Sequence, residues 1–323
     1  MTNVSAKPAA RGRGYDRTVI EGAGSNEAVR TGHPDVGFEH LFLGLLVNGG
    51  PAARLLMDAG VGLVEARAAI AGLQGEDLAL LGVDVPSAAA EGRPEVITAG
   101  LLPLAPRLRE LVDECPVAGG DQALLAALID DEGGRIRRLL DRLGVDTDRI
   151  RGALDGPISD REGSISPWGE GDLAAGSRGK GWKYDVYESE VPVPAERLWA
   201  LVGSVERRGE WDRGAVSSRL LDDGSVELTR DDGRSEREWI THTVPGREVT
   251  WSRAREGEEE PGLVFEIVIE PVGDHARLHL RKGVHSAWRG RIADRFVRWI
   301  VRNDLRIQAQ LIAQVAADQG LSG

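Results

Sequence analysis

The sequence predicts two domains of different class in one chain: an all-α bundle built from an internal double repeat, then an α+β domain with a curved antiparallel sheet around a long C-terminal helix. Three observations carry this. A helical motif recurs in the first half. Period-2 alternation of apolar residues fills the last third and ends in an amphipathic run. A stretch rich in Gly, Ser and charge separates the two. At 323 residues, 41% hydrophobic and 28% charged, the chain has material for two cores.

Residues 1–14 carry basic side chains and no apolar run, so they read as a disordered tail rather than a secretory signal. The helical domain is placed at 15–156. Its first helix, near Asp16 to Arg30, is the weakest because Gly22 and Gly24 each cost about 1 kcal/mol against Ala in a helix interior. The repeat follows. Gly37 to Leu46 matches Gly119 to Leu128, each then passes a Gly-Gly loop (Gly49-Gly50, Gly133-Gly134), and each continues into a short helix closed by Gly60-Val61 or Gly144-Val145. Gly60 and Gly144 are read as left-handed caps, and Pro106 as the first residue of a helix. Such short helices bury an apolar face only when two copies stack.

The linker is placed at 157–181 and the second domain at 182–319. Six of the eight tryptophans fall from Trp199 to Trp299 and none before Trp168, which fits two cores of different packing chemistry. Pro194 to Trp211 reads as a helix. Leu263, Phe265, Ile267 and Ile269 alternate with Val264, Glu266, Val268 and Glu270, as a strand with two unlike faces requires. Ala276, Leu278 and Leu280 alternate with His275, Arg277, His279 and Arg281. Gly224 and Gly246 mark turns, and the acid run from Glu256 to Glu260 reads as a hairpin tip. Ile292, Phe296, Ile300, Ile307, Leu311 and Val315 recur at helical steps over about 27 residues, roughly 40 Å.

The formal net charge of −12 disfavours phosphate backbones and anionic lipid, so neither nucleic acid nor membrane insertion is expected. No run of 18 apolar residues occurs, and the single cysteine, Cys115, has no intramolecular partner. The cytoplasm is the expected compartment. No Gly-x-x-x-x-Gly-Lys-Ser/Thr is present, so no P-loop engine is expected. No metal site, cofactor or catalytic residue is assigned: His275 and His279 share a strand face with Arg277 and Arg281, which reads as a solvated face.

Gly37-Phe38-Glu39-His40-Leu41-Phe42-Leu43-Gly44-Leu45-Leu46 resembles the signature of the Clp N-terminal repeat domain, and Leu102-Pro103-Leu104-Ala105-Pro106-Arg107 resembles that family's entry into its second copy. The resemblance implies a domain that contacts Clp protease components or their substrates and peptides. In some members paired glutamates receive phosphorylated arginine, and the matching positions here are Glu39 and Asp121. A planar guanidinium suits a carboxylate, though Asp121 is a methylene shorter than the family's residue. The plainer alternative is that both acids cap or pair at helix N-termini.

Tyr187 to Trp199, Glu210-Trp211-Asp212 and Glu270 to Leu278 resemble the START-like superfamily of polyketide cyclases and lipid-transfer proteins. The resemblance implies a helix-grip fold with an apolar cavity between sheet and helix. Trp199, Trp211, Trp239, Trp251, Phe265, Phe296 and Ile300 are the expected lining, or else simply fill the core. The expectation is a non-catalytic adaptor, sensor or sequestering protein that holds a hydrophobic small molecule. The rival is a polyketide cyclase-like tailoring enzyme with the Clp-type domain as its docking module.

Overall fold

In a computed structural model the chain divides into two compact units, one helical and one built on a sheet. The structure describes residues 7–80, 82, 101–155, 181–285 and 294–318, and of 7–16 and 294–303 the backbone alone. Residues 157–180 of the linker expected at 157–181 lie outside these.

The helical unit runs α1 (Lys7–Arg30), α2 (Phe38–Val47), α3 (Pro51–Asp58), α4 (Leu63–Leu80), then α5 (Pro106–Glu114), α6 (Gly120–Asp130), α7 (Arg135–Arg142) and α8 (Thr147–Leu154). The repeat is thus a recurrence of four helices, with the first and last shortened in the second copy. α1 begins at Lys7, inside the stretch expected to be a disordered tail. Its glycines have a use that propensity does not show. A Cβ on Gly44 would lie 2.5 Å from Gly24 N and from Ile20 O, so the two helices meet backbone to backbone. Gly60 and Gly144 take φ of +85° and +72°. Val61 N donates to Leu56 O at 3.0 Å and Val145 N to Leu140 O at 2.9 Å, which is the same C-terminal cap in both copies. Pro106 opens α5, where its missing N–H costs nothing.

The core of this unit is Leu41, Phe42, Leu45, Leu46, Leu56, Leu63, Leu124, Leu125, Leu128 and Leu139. Each buried side chain of this size contributes about 1.5–3 kcal/mol. Within it Glu27 is fully buried and receives Arg67 Nε at 3.0 Å and Nη2 at 2.7 Å. That two-point pair joins α1 to α4.

The second unit runs β1 (Trp182–Val191), α9 (Ala195–Val202), β2 (Ala215–Leu220), β3 (Val226–Arg230), β4 (Ser235–Val244), β5 (Glu248–Arg255), β6 (Leu263–Val272), β7 (His275–His285) and α10 (Asp294–Ala317). The helix expected over Pro194 to Trp211 is shorter: α9 ends at Val202 and a 3₁₀ turn covers Arg208–Glu210. The seven strands form one antiparallel sheet in the order β1-β7-β6-β5-β4-β3-β2. The turns expected at Gly224, Gly246 and 256–260 join consecutive strands, with Gly224 and Gly246 at φ of +80° and +78°.

α10 packs against β1, β7 and α9. Lys282 Nζ lies 2.7 Å from Asp304 Oδ2, so the even-numbered residues of β7 face that helix. Pairing Ile267 with Leu280 and Ile269 with Leu278 puts the expected apolar face of β6 on the same side. This is an α+β helix-grip architecture, as predicted. Among the described residues no helix is long and apolar enough to cross a membrane.

Candidate functional site

On the inner, helix-facing side of the sheet, Trp251 pairs with Phe265 across β5 and β6. Trp211 joins them, its ring centroid 6.1 Å from Trp251 at 74° and 6.1 Å from Phe265 at 38°. Offset and edge contacts of this kind add about 0.5–1.5 kcal/mol beyond area burial. Trp251 Nε1 donates to Val202 O at 3.1 Å, tying β5 to the end of α9. Three of the expected lining residues therefore form one packed cluster.

Trp239 does not join it. It pairs with Ser252, whose side chain points opposite to Trp251, and Arg237 lies over its ring at 5.7 Å. Trp239 is on the outer face, a correction to the expected lining. Trp199 is half-buried on α9 and packs against Gly203. The side chains of Phe296 and Ile300 lie outside the described residues.

Beside the aromatic cluster sits an ion network that sequence reasoning missed. Arg208 is buried, with its guanidinium carbon 3.8 Å from the Trp211 ring centroid. Its Nη2 donates to Asp212 Oδ2 at 2.9 Å and Glu238 Oε1 at 3.2 Å, and its Nε contacts Glu238. Arg253 Nη2 reaches Asp212 Oδ2 at 2.6 Å and its Nη1 lies 3.1 Å from Glu236. Arg230 Nη1 reaches Asp212 Oδ1 at 2.5 Å. Burial alone would push the Asp212 carboxyl up; Arg253, Arg208 and Arg230 together hold it well below the usual carboxylate range. Three arginines thus face three carboxylates. The parts come from a turn and three strands, so adjacency in sequence gives no signal beyond Arg208 and Asp212 flanking Trp211.

The outer face carries a second buried pair. Glu266 meets Arg281 Nε at 2.9 Å, and burial raises the Glu266 carboxyl despite that arginine. His279, expected to be solvated, is buried between Glu188 at 3.4 Å and Glu270 at 3.3 Å.

In the helical unit a cavity of about 770 Å³ is floored by Phe38, Ile70, Leu73 and Pro106 and rimmed by Glu39, Asp77, Arg135 and Arg138. Glu39 accepts from Arg135 Nη1 at 3.3 Å at the start of α7. Asp121 is placed differently. Its Oδ2 accepts from Ala52 N at 3.2 Å, and a Cβ on Gly50 would meet that oxygen at 2.1 Å. It caps α3, the helix of the other copy, and does not line the cavity. At the N-terminus of α2, His40 Nδ1 accepts the Gly37 N–H at 3.0 Å, the return half of a capping box. That bond requires the ring to be neutral. Burial, with His33 adding to it, lowers the imidazole to about 4.

The family described as polyketide cyclase / dehydrase and lipid transport matches residues 185–317. The chloroplastic chaperone protein ClpC1 of Arabidopsis thaliana and the chloroplastic ClpA homolog of Brassica napus, a Clp protease ATP-binding subunit, are each 32% identical over 131 residues. Those residues are 39% of this chain and 13% of either relative's length. A START superfamily protein from Mycobacterium smegmatis is 15% identical, covering 42% of this chain and 97% of its own, with a TM-score of 0.33. Norcoclaurine synthase from Thalictrum flavum is 17% identical, covering 42% of this chain and 86% of its own, with a TM-score of 0.31. Residues 185–317 of the sheet unit thus match the polyketide cyclase / dehydrase and lipid transport family, and 131 residues of the chain are similar to part of chloroplastic Clp ATP-binding subunits.

Proposed function

We propose that this chain is a cytoplasmic binding protein whose START-like unit holds a hydrophobic small molecule on the inner face of its sheet, and whose helical unit contacts Clp protease components or their peptides. The observation that carries the first half is the apolar inner face, Phe265, Ile267, Ile269, Leu278 and Leu280, with α10 packed on β7 and α9 on β6. An adaptor, sensor or sequestering role follows from joining the two units. Binding is favoured over catalysis by the charges. Asp212 is held ionised by three guanidinium groups and makes a poor general base, while Glu266, the acid that burial raises, is on the outer face. The rival, a cyclase-like tailoring enzyme docked through the helical unit, needs an acid or base on the inner side.

For the helical unit the reading rests on Glu39, which lines the cavity, rather than on Asp121, which caps α3. Displacement of Arg135 would open the Glu39 carboxylate to an incoming guanidinium. Two titrations of the full chain test the halves separately. Nile red is expected to bind one to one with a blue-shifted emission; no shift at micromolar protein counts against the small-molecule half. A phosphoarginine peptide is expected to raise fluorescence anisotropy with native chain and not with Glu39→Ala. Equal binding by both counts against Glu39.

A further inference from the structure

Two buried donors on the inner side of the START-like unit have neither a hydrogen bond nor an ion-pair partner among the described residues. One is Trp211 Nε1 and the other is Arg208 Nη1, on side chains that are 0% and 3% exposed. They are neighbours, since the Arg208 guanidinium carbon lies 3.8 Å from the Trp211 ring centroid. Of the other nitrogens of Arg208, Nη2 donates to Asp212 and Glu238 and Nε is in ion-pair contact with Glu238, and Trp251 Nε1 close by donates to Val202 O. A buried donor without an acceptor costs about 1–3 kcal/mol, and folded proteins seldom leave two side by side.

We propose that Trp211 Nε1 and Arg208 Nη1 are a polar anchor for the small molecule bound by this unit, and that the group they take is a neutral carbonyl oxygen. This rests on the reading of the inner face as the site for an apolar ligand. Both groups only donate, so the partner must accept. Local charge selects among acceptors. Arg208, Arg230 and Arg253 are balanced by Asp212, Glu236 and Glu238. A carboxylate would add an uncompensated buried charge to a neutral network, whereas a ketone, ester or quinone oxygen adds none. The rest of the ligand meets Trp251, Phe265 and the aliphatic residues of β6 and β7. The class is therefore an apolar, ring- or chain-like molecule bearing at least one carbonyl, and Trp211 and Arg208 determine the specificity for that oxygen.

Fluorene and 9-fluorenone differ by a single carbonyl on the same frame and make the test. The full native chain is expected to bind fluorenone about five- to tenfold more tightly than fluorene, the worth of one buried hydrogen bond. Trp211→Phe, which removes the N–H and keeps an aromatic ring, is expected to bring that ratio close to one. In ¹⁵N-labelled native chain the Trp211 indole N–H resonance is expected to move with fluorenone and not with fluorene, a readout that needs no variant. Binding of both compounds with equal affinity, or a preference that survives Trp211→Phe, overturns the anchor while leaving the apolar site standing. Binding of neither overturns the apolar site, and the anchor with it.

Discussion

Gly44 of α2 stands against Gly24 of α1 so closely that a methyl group on Gly44 would overlap the Gly24 nitrogen. Overpacking of this kind costs about 1–3 kcal/mol and occasionally more. Gly44→Ala is therefore expected to destabilise the helical unit by at least that amount. Gly22→Ala, whose new methyl group would meet Leu101 Cδ2 at an ordinary 3.5 Å, is expected to gain about 0.5–1 kcal/mol from helix propensity. Hydrogen exchange of α1 and α2 peptides in the full chain measures both changes without interference from the second unit.

Glu27 and Arg67 make the corresponding electrostatic prediction. Their pair is buried, and Arg30 Nε also reaches Glu27 at 3.1 Å. Glu27→Gln strands two guanidinium groups and is expected to cost about 3–5 kcal/mol, whereas Glu27→Leu combined with Arg67→Met is expected to recover much of that loss. Denaturant midpoints of the helical unit, read by far-UV circular dichroism, separate the two outcomes.

His40 ties the same unit to pH. Its ring is lowered from 6.5 to about 4 in the fold, where His33, Glu39, Glu27 and Arg30 are the charged or titratable groups around it. The unfolded chain therefore binds the extra proton first. Stability is full above about pH 6.5 and falls as pH drops towards 4, by roughly 3 kcal/mol. His40→Gln keeps an acceptor for Gly37 N and is expected to flatten this part of the pH profile. A profile unchanged by the substitution would place the dependence elsewhere.

Asp212 is the centre of the inner-face network, and Asp212→Asn leaves three arginines facing two carboxylates. A loss of about 3–5 kcal/mol is expected in the START-like unit. No tryptophan precedes Trp168, so tryptophan fluorescence against denaturant follows this unit and not the helical one.

What the sequence revealed and what it hid have physical reasons. The alternation in β6 and β7 is legible because the inner face is continuously apolar, from Leu263 to Ile269 and from Ala276 to Leu280. The left-handed caps at Gly60 and Gly144 were legible because each copy repeats the same local chemistry. Trp239 was misplaced because an indole suits either face of a strand, and only the pairing with Ser252 decides. The ion network was hidden because Arg208, Asp212, Glu238 and Arg253 look like surface charges until folding joins a turn to β4 and β5. The glycines of α1 look like a weakness in the sequence because the close approach of α2 cannot be seen from one helix. Asp121 matches Glu39 in the repeat, but in the fold it caps the helix of the opposite copy.

The central claim, that the inner face of the sheet holds a hydrophobic small molecule, is tested most directly by methyl-resolved NMR of the full chain during addition of 9-fluorenone. Alternate residues of β6 make the two faces separately visible. Shifts confined to the methyl groups of Ile267, Ile269, Leu278 and Leu280 are the expected result. Shifts at Val264 and Val268 instead, or none at saturating ligand, would contradict it.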